Sequence, residues 1–147
     1  MTDFDETPHR DDFFVSDNPD KLDLPWVTNT LLGTYWGKGL TKDKIIESLR
    51  NSLCFGLYEH YLTSGGRKHK QVGFARVVTD HATFSWLCDV VIDPDYRKRG
   101  LGKFLVATVV NDPRIRHTVI NLGTRDAQKL YEKFGFETVE RMRRIPQ

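Results

Sequence analysis

The 147-residue sequence is poor in three features that would each indicate a particular class of protein. It has two cysteines, Cys54 and Cys88, which are too few for a disulfide framework or for a zinc site made of cysteines alone. Its longest strictly apolar run is four residues, Phe104 to Ala107, whereas a membrane-spanning helix needs about 20. Its net charge is +2, from 22 basic and 20 acidic residues, which is too balanced to indicate nucleic-acid binding. We therefore expect neither a membrane nor a nucleic acid among its partners.

The composition that is present is typical of one globular domain. Hydrophobic residues make up 39% of the chain and charged residues 29%, which does not fit a disordered protein. We expect residues 1–11 to be a flexible tail and residues 12–147 to be a single domain. The N-terminus lacks the basic and apolar regions of a signal peptide, which predicts a cytoplasmic protein. Both cysteines lie in apolar, strand-like contexts and are expected to be buried reduced thiols.

Hydrophobic spacing and turn-forming residues predict a mixed α+β fold. An antiparallel meander comes first, and helical crossovers come later in the chain. The predicted order is a strand at 12–16, a helix at 25–36, a helix capped by Thr41, strands at 54–62, 72–78 and 82–92, a helix at 100–110, a strand at 118–122, a short helix ending at 134 and a strand at 136–145. A polar hairpin loop is predicted for residues 63–70.

The most informative stretch is the strand Val90-Val91-Ile92, the turn at 93–95 and the basic loop 97–103 that opens the next helix. A helix N-terminus carries unpaired N–H groups and the positive end of the helix dipole, so it attracts anions. Gly100 and Gly102 allow a ligand to approach the backbone closely. The spacing fits neither a Walker loop nor a dinucleotide fingerprint. An ordinary strand–loop–helix with solvated basic residues is the alternative for this motif alone.

A second motif, about 30 residues later, removes much of that ambiguity. The stretch 124–136 carries an alanine, then a Leu-Tyr pair, then Gly-Phe. Together the two motifs resemble those of the GNAT (Gcn5-related) N-acetyltransferase superfamily, and the predicted element order matches its fold from Phe13 to Ile145. The resemblance implies a central, mostly antiparallel, splayed sheet flanked by about four helices, with acetyl-CoA or coenzyme A as cosubstrate.

The resemblance also implies roles for individual residues. Tyr131 would be the general acid that protonates the departing thiolate, although a packed aromatic on a short helix is the alternative. The family often has asparagine three residues before the alanine, where this chain has Thr124; its hydroxyl suits a helix cap instead. The expected coenzyme A ligands, through the pantetheine arm or the pyrophosphate, are Val90, Val91, Ile92, Arg97, Lys98, Arg99, Gly100, Leu101, Gly102 and Lys103.

The amine acceptor must lose a proton before it attacks, so a base is also expected. Asp89 is favoured because it is the only acid in the apolar run 86–92 and directly precedes the cofactor-binding segment. A structural acid bonded to the backbone is the alternative for Asp89. Glu59, Asp80 and His81 are the other candidates. Trp26, Tyr35 and Trp36 would either line the acceptor pocket or pack in the core.

The resulting hypothesis is an N-acetyltransferase that moves an acetyl group directly from acetyl-CoA to an amine. A small-molecule acceptor is favoured over a protein, because the sequence carries no separate peptide-recognition module. A monomer or a homodimer is expected, and the five histidines show no metal-ligand spacing. The alternative hypothesis is a non-catalytic coenzyme A-binding module or sensor.

Overall fold

The computed structural model describes residues 9–147, which form one six-stranded sheet and four α-helices. This confirms the predicted mixed α+β class. None of these helices is long and apolar enough to cross a membrane. The elements are β1 (His9–Arg10), β2 (Phe13–Ser16), α1 (Leu24–Leu32), α2 (Lys42–Arg50), β3 (Leu53–Thr63), β4 (Gly66–Thr79), β5 (Phe84–Ile92), α3 (Leu101–Val110), β6 (Val119–Asn121) and α4 (Gln128–Glu132).

The strands lie in the sheet in the same order as in the sequence. β1 to β5 pair antiparallel with their neighbours, whereas β6 pairs parallel with β5. A parallel pair needs a crossover connection, which α3 provides. The predicted arrangement of a meander followed by a helical crossover is therefore correct.

Each face of the sheet is covered by a pair of helices. On one face, Leu101, Leu105 and Val109 of α3 pack against sheet residues that include Leu57, and Tyr131 of α4 joins them. The other face is covered by α1 and α2. Their apolar residues Val27, Leu31, Ile45 and Leu49 pack against Cys54, Phe74 and Val91. The helical spacing in the sequence thus corresponds to real buried faces.

Several predicted boundaries were wrong for local reasons. The predicted 63–70 loop is a much shorter turn, because β3 and β4 continue until Thr63 pairs with Gly66, which has a φ of 108°. The helix predicted for 25–36 ends at Leu32, and a separate 3-10 turn follows at Tyr35–Gly37. His9–Arg10 pairs with β2 although it belonged to the expected tail. Residues 1–8 of that tail lie outside the described residues.

The strand predicted for residues 136–145 does not form. This segment is charged at five of its ten positions, and its apolar residues Val139 and Met142 are exposed, so it offers no apolar face to bury. It nevertheless lies near β5: the Arg141 guanidinium sits 5.0 Å from the centre of the ring of Trp86, which belongs to that strand. The segment therefore forms a wall beside the sheet.

Candidate functional site

A β-bulge in β5 interrupts the sheet at Asp89. Arg76 of β4 lies opposite Cys88, but Phe74, only two residues earlier, lies opposite Val91, three residues later. β5 therefore contains one extra residue, and Asp89 adopts a φ of 57°. The extra residue reverses the alternation of side chains along the strand. Consequently Val90 and Ile92 share a face with Leu87, whereas Val91 points to the opposite face.

β5 and β6 separate at the same point. The pairing of these strands is confined to residues 84–86 with residues 119–121. In the described part of the chain, the β6-facing edge of β5 has no strand partner from Leu87 to Ile92. The backbone groups along that edge are therefore available to an extended ligand that could add to the sheet as a further strand.

The basic loop follows the free end of β5 and leads into α3. Lys98 and Gly100 have φ values of 65° and 75°, and Gly100 caps α3 without a side-chain hydrogen bond. The first N–H groups of α3 are thus without a side-chain cap, and the anion site predicted here stays a prediction. Arg97 folds back so that its Nε donates to the carbonyl oxygen of Ile92, 3.2 Å away.

Two of the four predicted cations point elsewhere. The Arg99 guanidinium lies 5.0 Å from the centre of the Phe13 ring and 5.4 Å from that of Tyr96. Lys103 lies beside Lys133, and the side-chain hydrogen bond between them, together with their charge repulsion, lowers the pKa of Lys133. Arg10 of β1, which the sequence placed in the tail, also approaches this loop. Its Nη1 would be 2.8 Å from a Cβ added to Gly100.

A cleft of about 420 Å³ lies between the end of β5, the basic loop and α4; we call it the loop cleft. The structure thus gathers most of the predicted binding residues around one space, but Arg99 and Lys103 are absent from its lining. The predicted site residues that line the loop cleft are Val90, Val91, Ile92, Arg97, Lys98, Gly100, Leu101, Gly102 and Tyr131.

A second, larger cavity of about 1230 Å³ opens between β5, β6, α4 and the segment that follows α4; we call it the wide cavity. Tyr35, Trp86, Asp89 and Arg141 are among its lining residues. The two cavities meet at four residues that line both, and we call this place the junction. The junction consists of Trp36, Val90, Ala127 and Tyr131.

Tyr131 is the predicted acid, and it is positioned at the junction from α4. Its ring is mostly buried and packs edge-on against Phe136, with the ring centres 5.7 Å apart. Burial, with smaller contributions from Tyr35 and Asp126, raises the pKa of Tyr131 to about 12. The phenol is therefore protonated at neutral pH and can donate a hydrogen bond into either cavity. Thr124 stabilises the turn that leads into α4, because its Oγ1 accepts a hydrogen bond of 3.0 Å from the N–H of Ala127, the residue before the helix.

Asp89 is held by two side chains from different parts of the fold. Its Oδ2 accepts a hydrogen bond of 2.8 Å from Arg76 Nε, and its Oδ1 accepts one of 3.0 Å from Trp36 Nε1. Arg76 also donates to Ser52 Oγ at 3.0 Å. This network fixes the bulge to β4 and to the 3-10 turn between α1 and α2. The contact between Trp36 and Asp89 spans 53 residues of sequence, and no sequence pattern indicated it.

The other three candidate bases line neither cavity. Glu59 accepts a hydrogen bond of 2.7 Å from the Tyr96 hydroxyl. Asp80 accepts hydrogen bonds from Thr83 and neighbouring N–H groups, which lower its pKa. His81 has a φ of 64° in the same turn, where its carbonyl oxygen lies 3.1 Å from His117 Nε2. Trp26 packs against the core cluster beneath α1 and α2. Asp89 is therefore the one of the four candidates that lines the wide cavity, next to Val90 and hydrogen-bonded to Trp36 of the junction.

Comparison with known proteins finds a match between residues 51–138 and the family model for the acetyltransferase (GNAT) domain. The chain is 33% identical to a candidate GNAT-family acetyltransferase from Xanthomonas campestris, whose solved structure matches it with a TM-score of 0.79 over 95% of each chain. A protein of Gibberella zeae named as a candidate acetyltransferase is 29% identical over 141 residues, covering 84% of this chain and 78% of its own length.

More distant matches extend the same likeness. A GNAT-family acetyltransferase from Elizabethkingia anophelis, solved with acetyl-CoA bound, shares the fold at 14% identity and a TM-score of 0.64, over 89% of this chain and 80% of its own. Several plant relatives are longer, and the chain spans 40–43% of their length.

The ion pair at the bulge leads to a prediction about stability. The side chains of Asp89 and Arg76 are only 12% and 18% exposed. Asp89→Ala would therefore leave the Arg76 charge largely buried and without its carboxylate partner. Breaking a buried pair costs about 3–5 kcal/mol, so urea denaturation should show a loss of free energy of unfolding of that size. Glu47→Ala removes an exposed pair with Arg50 and serves as the control, with an expected change close to zero. A loss below about 1 kcal/mol for Asp89→Ala would show that the pair does not support the bulge.

Proposed function

The chain belongs to the GNAT acetyltransferase family, and we propose that it transfers an acetyl group from acetyl-CoA directly to the amine of a small molecule. The observation that carries the proposal is the junction, where Tyr131 and the bulged strand border both cavities. The thioester would reach this point through the loop cleft and the amine through the wide cavity. A reaction between two bound molecules needs this arrangement, because both must meet at the group that assists the step.

The loop cleft has the features that coenzyme A requires. The free edge of β5 offers backbone donors and acceptors to the amide groups of the pantetheine arm. The first turn of α3 offers N–H groups to the pyrophosphate, and Arg97, Lys98 and Arg10 add positive charge nearby. Gly102 leaves this approach open, since the closest atom to a Cβ there would be Ile92 Cγ1 at 3.9 Å. The acetyl-CoA-bound structural neighbour has the same fold, which supports this assignment.

The residues at the junction can each assist direct transfer. Bound acetyl-CoA supplies an acyl group activated as a thioester. The N–H of Val90 would donate to the thioester carbonyl and stabilise the charge that develops on its oxygen. Tyr131 would donate a hydrogen bond to the sulfur as the carbon–sulfur bond breaks. With its pKa at about 12, the phenol stays protonated and stabilises the departing thiolate as a hydrogen-bond donor, and the thiolate then takes its proton from solvent.

Asp89 would assist removal of the proton from the amine. Each carboxylate oxygen keeps a lone pair beyond its hydrogen bond to Arg76 or to Trp36. Asp89 can therefore accept a hydrogen bond from the acceptor, either directly or through a water molecule in the wide cavity. As the nitrogen bonds to the carbonyl carbon, its proton would pass by this route to solvent.

A covalent acetyl-cysteine route is disfavoured by the state of the thiols. Cys88 lines the wide cavity beside the bulge, but burial raises its pKa to about 12. Burial also raises the pKa of Cys54 to about 11. Neither thiol forms an appreciable amount of thiolate at neutral pH, and the thiolate is the nucleophile.

The preference for a small acceptor is supported by the shape of the wide cavity. It is a concave space slightly larger than most small-ligand pockets. Arg125 stacks on Tyr35 with 3.6 Å between the guanidinium and the ring centre, and Arg141 stacks on Trp86 on another side. All four of these residues line the wide cavity, so the two contacts join the chain segments that form its walls.

The proposal is tested by release of free thiol from acetyl-CoA in the presence of primary amines. The panel should contain polyamines, amino sugars, amino acids and lysine-containing peptides. We expect at least one small amine to raise thiol release tenfold or more above hydrolysis. Turnover with peptides alone would overturn the small-molecule assignment. Coenzyme A binding by calorimetry without turnover of any amine would favour the sensor hypothesis.

Gly102 provides a test of the cofactor site. Gly102→Glu would place a carboxylate beside the N–H groups of α3, so we expect the coenzyme A dissociation constant to rise at least 100-fold in calorimetry. Gly102→Ala is the matched control, because the space for a Cβ is open and alanine favours a helix, so affinity should change less than threefold. Gly100 is a poorer site for this test, since its φ of 75° strains any other residue. Equal affinities for the two folded variants would contradict the assignment of the loop.

Tyr131 provides a test of the acid. Tyr131→Phe removes the hydroxyl but keeps the packed ring, so kcat should fall about 100-fold while coenzyme A affinity stays within twofold. Cys88→Ala, which changes another residue lining the wide cavity, should retain most of the wild-type rate because no acetyl-cysteine forms. A normal kcat for Tyr131→Phe from pH 6 to 10 would remove Tyr131 from the mechanism, and an inactive, folded Cys88→Ala would indicate a covalent route.

A further inference from the structure

Trp36 occupies an unusual position for a large aromatic residue. It is 41% exposed, and it borders both the loop cleft and the wide cavity. It is also the only member of the junction that comes from outside β5 and the α4 region. Its indole thus stands between the space assigned to the thioester and the space assigned to the acceptor.

The indole is held in this position from several directions. Its Nε1 donates to Asp89 Oδ1 at 3.0 Å, which ties it to the bulge. Its ring packs edge-on against Tyr35 with 4.9 Å between centres, and Arg125 stacks on that tyrosine. A tryptophan fixed at both its polar and apolar edges behaves as a rigid wall rather than a mobile surface group.

The 3-10 turn that carries Trp36 is equally constrained. A Cβ at Gly37 would overlap the carbonyl oxygen of Leu31, so the turn lies directly against the end of α1. Thr34 Oγ1 accepts a hydrogen bond of 3.0 Å from the Gly37 N–H and donates one of 2.7 Å to the Leu31 carbonyl oxygen. The position of the indole is therefore set by α1 on one side and by the bulge on the other.

We infer that Trp36 determines which acyl groups the enzyme transfers, by forming the wall that limits the length of the acyl chain. This inference rests on the proposed function. The reacting carbonyl carbon must lie at the junction, where both substrates meet. The alkyl chain beyond that carbon must then fit among the same four side chains, of which Trp36 is the largest. A methyl group needs little room there, whereas a longer chain needs the space that the indole fills.

Replacement of the indole should therefore change selectivity more than it changes activity. For the wild type we expect kcat/KM with butyryl-CoA to be at least tenfold below that with acetyl-CoA, using one amine acceptor throughout. Trp36→Ala would join the two spaces, and the ratio of butyryl-CoA to acetyl-CoA activity should rise at least tenfold. Trp36→Phe loses the hydrogen bond to Asp89 but keeps much of the wall, so its ratio should stay closer to that of the wild type.

The control is Trp86→Ala. Trp86 is also a tryptophan, but it lines only the wide cavity, where Arg141 stacks on its ring. Its loss is expected to raise the KM for the amine and to leave the acyl-chain ratio within twofold of wild type. A purely structural role for Trp36 predicts a different pattern, in which Trp36→Ala slows all acyl donors by the same factor.

The dissociation constants of acetyl-CoA and butyryl-CoA, measured by calorimetry, provide a second readout that needs no turnover. The wild type should bind butyryl-CoA several-fold more weakly than acetyl-CoA, and Trp36→Ala should bind both alike. An unchanged ratio in both assays, in a Trp36→Ala protein whose circular dichroism matches wild type, would overturn the inference. Absence of turnover with every acyl donor would instead overturn the proposed function, and the binding ratio would still decide the role of Trp36.

Discussion

The single extra residue in β5 is the constraint on which the rest of the site depends. An antiparallel strand without a bulge would place Leu87 and Val91 on the same face, with Asp89 between them. The bulge reverses this alternation, so that Val90 and Ile92 turn toward α3 and α4 while Val91 turns toward α1 and α2. The ion pair between Asp89 and Arg76 supports this strained segment from the neighbouring strand.

The bulge and the separation from β6 together create the loop cleft. Because β6 leaves β5 after Trp86, the edge beyond it is exposed just where the bulge changes the direction of its backbone groups. The same separation opens the wide cavity on the other side of α4. Two cavities thus arise from one interruption of the sheet, and they meet at the interruption itself. This arrangement is why a carboxylate, a phenol and an indole from distant parts of the sequence come together.

The elements around the candidate site that sequence predicted well are those made by contiguous residues. The strand 90–92, the basic loop and the start of α3 form one local unit, and the structure shows the predicted order of strand, loop and helix there. The predictions were poorer where long-range contacts decide. Arg99 appeared equivalent to Arg97 in the sequence, but the aromatic rings of Phe13 and Tyr96 draw it away from the cleft. The opposite error concerns Arg10, which was expected in the tail. Pairing of β1 with β2 brings it close to the basic loop.

The strand predicted at 136–145 fails for a related reason, and its absence matters for the site. The apolar residues of this segment recur at every third position, so they cannot share one face of a strand, and Val139 and Met142 are exposed. The segment instead borders the wide cavity with Glu137, Glu140 and Arg141, and stays attached through the stacking of Arg141 on Trp86. The wall that this segment adds to the wide cavity is therefore held mainly by side-chain contacts, whereas the walls of the loop cleft are held by the sheet and by α3. Substitutions at 137–145 would therefore alter the lining of the wide cavity more than the bulge or the basic loop, neither of which rests on this segment.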